Sequence, residues 1–164
     1  MTAKRIESHS VIRGIRYGIL LLLILYIGLL FASEGDSSTP FEAVEKAVVE
    51  ASGDNEMTKA EARELKRLYG MNEKDFEGVS LYYTQATMGV EELLLIRTLE
   101  GQDTAAVVES IQKRKEIQLD NFEGYGAEQV KLLNDSVIKT KGNYVLFVVS
   151  PKAEAVEKAF TKSL

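Results

Sequence analysis

From Tyr17 to Ala32 the chain runs through sixteen positions without a charge, and 11 of them are Leu, Ile or Phe. A run with no polar face suits a helix surrounded by lipid better than a helix packed in a soluble core. A polar stretch, Ser33–Thr39, follows and has the composition of a tether. Helical spacing then begins, with Phe41, Val44, Val48 and Ala51 on one stripe. Thr39 is the expected cap, with Pro40 at the first helical position and Glu42 completing a capping box. Ser52–Asn55 ends this helix. Thr58 and Glu61 read as a second capping box, followed by the stripe Ala62, Leu65, Leu68 and Tyr69 and by Gly70 as the stop.

The period shortens at Val79. Val79–Thr84 alternates and Glu92–Thr98 is an apolar run of strand length, so a hairpin with the loop Gln85–Glu91 is expected. A long helix capped by Asp103 should run to about Phe122, where Gly124 and Gly126 end it, and a brief helical piece carries Val130 and Leu133. Val137–Lys141, the turn pair Gly142-Asn143 and Tyr144–Val149 form a second hairpin. Its second strand is apolar on both faces and should be central. Ser150-Pro151 opens a terminal helix with Val156, Ala159 and Phe160 inward. The expected fold is α+β, an antiparallel or mixed sheet of about four strands (two hairpins) packed by helices in the order ααββαββα. The chain then divides into a basic tail (1–16), a transmembrane signal-anchor helix (17–32), a polar linker (33–39) and the α+β domain (40–164).

Charge orients this arrangement. Lys4, Arg5, Arg13 and Arg16 precede the apolar run, and the next basic residue is Lys46. The tail is therefore expected to stay cytoplasmic while the C-terminal domain crosses the cell membrane. At ~0.3–0.6 kcal/mol per central Leu, Ile or Phe, the run favours insertion by roughly 3–6 kcal/mol. A cleavable signal peptide shares the basic-then-apolar pattern and would release the same domain as a secreted one. Its cleavage motif is poor here, since a cut after Ala32 places Leu30, and one after Ser33 places Phe31, where a small residue belongs. Residues 33–164 carry 16 basic and 24 acidic side chains, a net charge of −8. Such a domain has no counterion release to gain from phosphate backbones, so no nucleic-acid partner is expected.

Chemistry is sparse. With no Cys and the single His9, thiolate sites, disulfides and multi-histidine metal sites have no residues to form them, and no cofactor is expected. Asp54-Asn55-Glu56 resembles the start of a calcium loop, but Lys59 and Leu65 stand where the loop needs Gly and Glu. No phosphate loop or nucleophile elbow is present. On the long helix, Val107, Ile111, Arg114, Gln118 and Phe122 share one stripe. Arg114 and Gln118 thus flank or enter the face toward the sheet, where a guanidinium needs a partner. Glu91, Glu92 and Glu123 are candidates for that partner. Arg97, Arg114, Gln118, Glu91 and Tyr125 make up a candidate polar pocket for a carboxylate or sugar, and a purely structural hydrogen-bond network is the competing reading. Tyr82, Tyr83, Tyr125 and Tyr144 are candidates for an aromatic surface facing glycan or peptide, or for strand packing.

Met88–Arg97, then Arg114, Gln118, Phe122 and Tyr125, then Lys141–Ser150 resemble the bacterial domain-of-unknown-function family 4358, with similarity over about residues 41–160. The resemblance implies a small envelope-associated domain of Gram-positive bacteria, carried behind a lipoprotein signal or a membrane segment. Without Cys there is no lipobox, so it implies the membrane-segment version, and it implies no activity. Three functions stay open: a non-catalytic module binding an envelope protein, peptide or wall component; a small hydrolase or transferase using carboxylates; and a structural oligomerising protein.

Overall fold

The computed structural model describes residues 18–19, 37–53 and 57–164. The chain divides into two units, residues 1–35 and 36–164, and the second carries an α+β fold. Its elements are α1 (Phe41–Ser52), β1 (Met57–Lys59), α2 (Ala62–Tyr69), a 3-10 turn (Glu73–Asp75), β2 (Gly78–Thr84), β3 (Glu92–Arg97), α3 (Ala105–Phe122), α4 (Ala127–Asn134), β4 (Val137–Lys141), β5 (Tyr144–Val149) and α5 (Ala153–Ser163). The strands form one sheet in the order β1-β2-β3-β5-β4, antiparallel at every pairing.

Helices cover both faces, which explains why β5 and β3 are apolar without alternation. Leu94 and Ile96 of β3, with Val145, Phe147 and Val149 of β5, pack against Leu65 and Tyr69 of α2, Val107, Ile111 and Phe122 of α3, and Leu133 of α4. Leu93 and Leu95, with Tyr144, Leu146 and Val148, pack against Val44 and Val48 of α1 and Ala153, Val156 and Phe160 of α5. All six residues of β5 are buried, which identifies it as a strand covered on both faces. Successive strand side chains point to opposite faces, so even positions of β3 belong to the α2–α3–α4 layer and odd ones to the α1–α5 layer.

Three sequence expectations need correction. The sheet has five strands, not four, the added one being β1; the brief helical piece carrying Val130 and Leu133 is present as α4 and extends the order ααββαββα. Thr58 does not cap a helix. It lies in β1 opposite Tyr83, and α2 starts only at Ala62 with no side-chain cap. A three-residue strand is too short to show alternation, whereas Thr58 and Glu61 reproduce the spacing of a capping box by chance. Pairing with β2, extended by Ala60 N–H donating to the Leu81 carbonyl (2.8 Å), satisfies this edge instead. Thr39 also fails to cap α1: its hydroxyl accepts from Ser37 Oγ (3.2 Å), while its carbonyl accepts from the Tyr144 hydroxyl (2.8 Å).

The expected linker therefore ends in anchored residues. Ser37 donates its N–H to Asn143 Oδ1 (3.2 Å), and its carbonyl accepts from Arg97 Nη2 (3.1 Å). The apolar run of residues 17–32, apart from Gly18 and Ile19, lies outside the described residues, as do the tail and Asp54–Glu56. Among the described residues no helix is long and apolar enough to cross a membrane.

Candidate functional site

The first residue of β3, Glu92, faces the α2–α3 layer and is 1% exposed. A buried carboxylate is costly unless both oxygens are satisfied. Here Oε1 accepts from the Tyr69 hydroxyl at 2.5 Å, and Oε2 accepts from Arg114 Nη2 at 3.1 Å and Nε at 3.3 Å. Tyr69 reaches the carboxylate from the last turn of α2, and Arg114 comes from the middle of α3. The tyrosine's pKa is raised well above the ordinary 10.0, first by burial and then by the negative charge of Glu92. The network joins two helices to the central strand and commits every oxygen of the carboxylate.

One turn beyond Arg114, Gln118 is 6% exposed, and its Oε1 is buried without a hydrogen-bond partner. Four residues further, Phe122 closes α3 against the core. The turn into α4 depends on two glycines. Gly124 has φ +85°, a conformation open to Gly and strained for other residues. Gly126 donates to the Phe122 carbonyl at 2.9 Å, and a Cβ there would stand 2.7 Å from the Phe122 ring. The loop between them turns Tyr125 outward, 68% exposed, with its ring 5.8 Å from that of Phe122.

Beside this turn lies an open cleft of about 500 Å³. Leu119, Phe122 and Val130 make its apolar wall, Tyr125 its aromatic rim, and Asp120 and Glu123 its charged margin. Such a cleft has the volume to take an apolar side chain and its neighbours, with few polar groups to fix orientation.

The five residues expected to make one polar pocket are separated. Arg114 and Gln118 sit together on α3, facing the sheet. Glu91 lies just before β3, and its Oε2 accepts from the Val90 N–H (3.1 Å). Arg97 lies on the opposite sheet face, where it pairs with Glu77 (3.0 Å) and stands 5.4 Å from the centre of the Tyr144 ring. Tyr125 belongs to the cleft. Strand parity separates Arg97 from Glu92, since five positions along a strand change face. The same parity selects Glu92 over Glu91 as the partner of Arg114, because it falls in register with Leu94 and Ile96, while Glu123 follows the end of α3 and lines the cleft. Tyr69 carries no comparable signal, since its role depends on where α2 comes to rest. Among the described residues no three His, Asp or Glu side chains come together as a metal site.

The chain belongs to the family of the domain of unknown function DUF4358, whose model matches residues 50–150. The matched segment takes in β1 through β5 and therefore the Glu92 network and the cleft. No curated protein and no solved structure matches the chain.

Proposed function

We propose that this protein is a single-pass membrane-anchored module of the bacterial cell envelope. In this reading its C-terminal domain lies outside the cytoplasm and binds a protein, peptide or wall component without altering it chemically. The α3–α4 cleft carries the binding half of the reading: an open apolar concavity edged by an exposed tyrosine has the make-up of a recognition surface. The anchoring half rests on the uncharged run 17–32, which meets the bilayer, and on the four basic residues that precede it. Glu92, engaged on both oxygens, serves as a brace that fixes α3 and hence the cleft wall.

A photo-crosslinking residue placed at Tyr125 in the full chain, in living cells, tests the binding surface. A control placed at the exposed Lys158, on α5 against the other sheet face, reports random proximity. The expected result is a discrete adduct from position 125 and none from position 158. Equal labelling from both positions, or no adduct from either, contradicts the reading.

A further inference from the structure

We infer that the α3–α4 cleft takes a basic peptide segment, one that buries an apolar side chain between Leu119, Phe122 and Val130 and sets a Lys or Arg against Asp120 and Glu123. This rests on the binding reading and specifies the partner's chemistry. Both carboxylates are exposed and line the cleft, no basic residue lines it, and neither carboxylate forms an ion pair with a described residue.

Their position makes the argument stronger. The C-terminal end of a helix carries the negative end of its dipole, and its last carbonyls favour cations nearby. The last turn of α3 has no basic residue and holds Asp120, with Glu123 immediately after it. Negative side chains in that position work against the helix that bears them. A choice that opposes local stability points to a use elsewhere. An incoming cation answers Asp120, Glu123 and the negative end of the α3 dipole at once. The positive end of α4 is already met by Glu128 in its own first turn. Tyr125, adjacent to the two carboxylates, adds a ring face on which a guanidinium or ammonium can rest.

Selection of random dodecapeptides displayed on phage, against the full chain in detergent micelles, tests this. The protein is used as wild type, as Tyr125→Ser and as Asp120→Lys/Glu123→Lys; all three positions are exposed, so the fold is kept. Peptides selected by the wild type should combine Lys or Arg with Phe, Leu or Tyr. Their binding should weaken about tenfold or more on charge reversal, equivalent to ~1.4 kcal/mol. Exchanging their basic residues for Glu should restore binding to the reversed variant. Selected peptides without basic enrichment, lost on Tyr125→Ser yet indifferent to charge reversal, overturn the basic-partner inference and leave the cleft as a binding surface. Peptides indifferent to both variants, or none above background, overturn the cleft reading as well.

Discussion

Glu92 holds three elements together through one carboxylate. Removing Arg114 alone, as in Arg114→Met, leaves a buried charge with a single neutral donor and should cost ~3–5 kcal/mol of unfolding free energy. Removing the charge as well, in Glu92→Leu/Arg114→Met, should recover part of that loss, because the ion pair's attraction is largely offset by desolvation while the Tyr69 hydroxyl loses its acceptor. Urea unfolding of the four members of this cycle checks the claim; a double variant less stable than Arg114→Met contradicts it. Tyr69 adds a pH signature. Its hydroxyl pKa is raised on folding, so its stabilisation is complete below the ordinary value of 10.0 and is lost as pH rises toward the higher folded value. Tyr69→Phe should therefore flatten the alkaline limb of the stability profile.

Glu45 gives the opposite sign on the other sheet face. Burial disfavours its ionisation, but Oε1 accepts from Lys59 Nζ (2.7 Å), Ser80 Oγ (2.5 Å) and the Tyr82 hydroxyl (2.9 Å), and together these hold its pKa below 4.5. Its contribution is present above the unfolded carboxylate pKa and disappears as pH falls through the lowered folded value. Glu45→Gln should reduce the loss of stability in acid, measured by unfolding between pH 7 and pH 3.

At the scale of elements, long periodic segments were readable and short ones were not. The six-residue β5 and the 18-residue α3 declare themselves because each repeats its pattern several times. β1, with three residues, shows no repeat and owes its conformation to the β2 edge beside it. Asp103 was legible as a cap and does accept from the Ala105 N–H (2.9 Å). Thr39, with an equally good signature, is diverted by Ser37 and Tyr144, contacts that exist only after folding. For the site, helical period placed Arg114 and Gln118 and strand parity places Glu92. The cleft was not legible, because it depends on how α4 turns back across Phe122. That turn predicts its own weak point. Gly126→Ala drives a methyl group into the Phe122 ring and should cost ~1–3 kcal/mol through overpacking. It should also shift the Tyr125 environment, which tyrosine fluorescence and urea unfolding together report; unchanged stability and fluorescence would show that the close approach has no consequence.

At the scale of the molecule, one layer of helices is braced by the Glu92 network and carries the cleft. The opposite layer, α1 with α5, receives the chain from residue 37, where Arg97, Asn143 and Tyr144 hold its backbone. The cleft and the held residues 37–39 thus fall on different faces of one sheet, so under the proposed function a partner in the cleft would leave the contacts of Ser37 and Thr39 intact.

The absence of native cysteine allows a direct test of location. With Ser8→Cys in the tail or Glu128→Cys at an exposed position of α4, each variant carries one thiol. A membrane-impermeant maleimide added to intact cells should label the Glu128→Cys chain and should label the Ser8→Cys chain only after lysis. Labelling of the tail in intact cells with protection of the domain, or protection of both, would contradict an anchored domain facing outward.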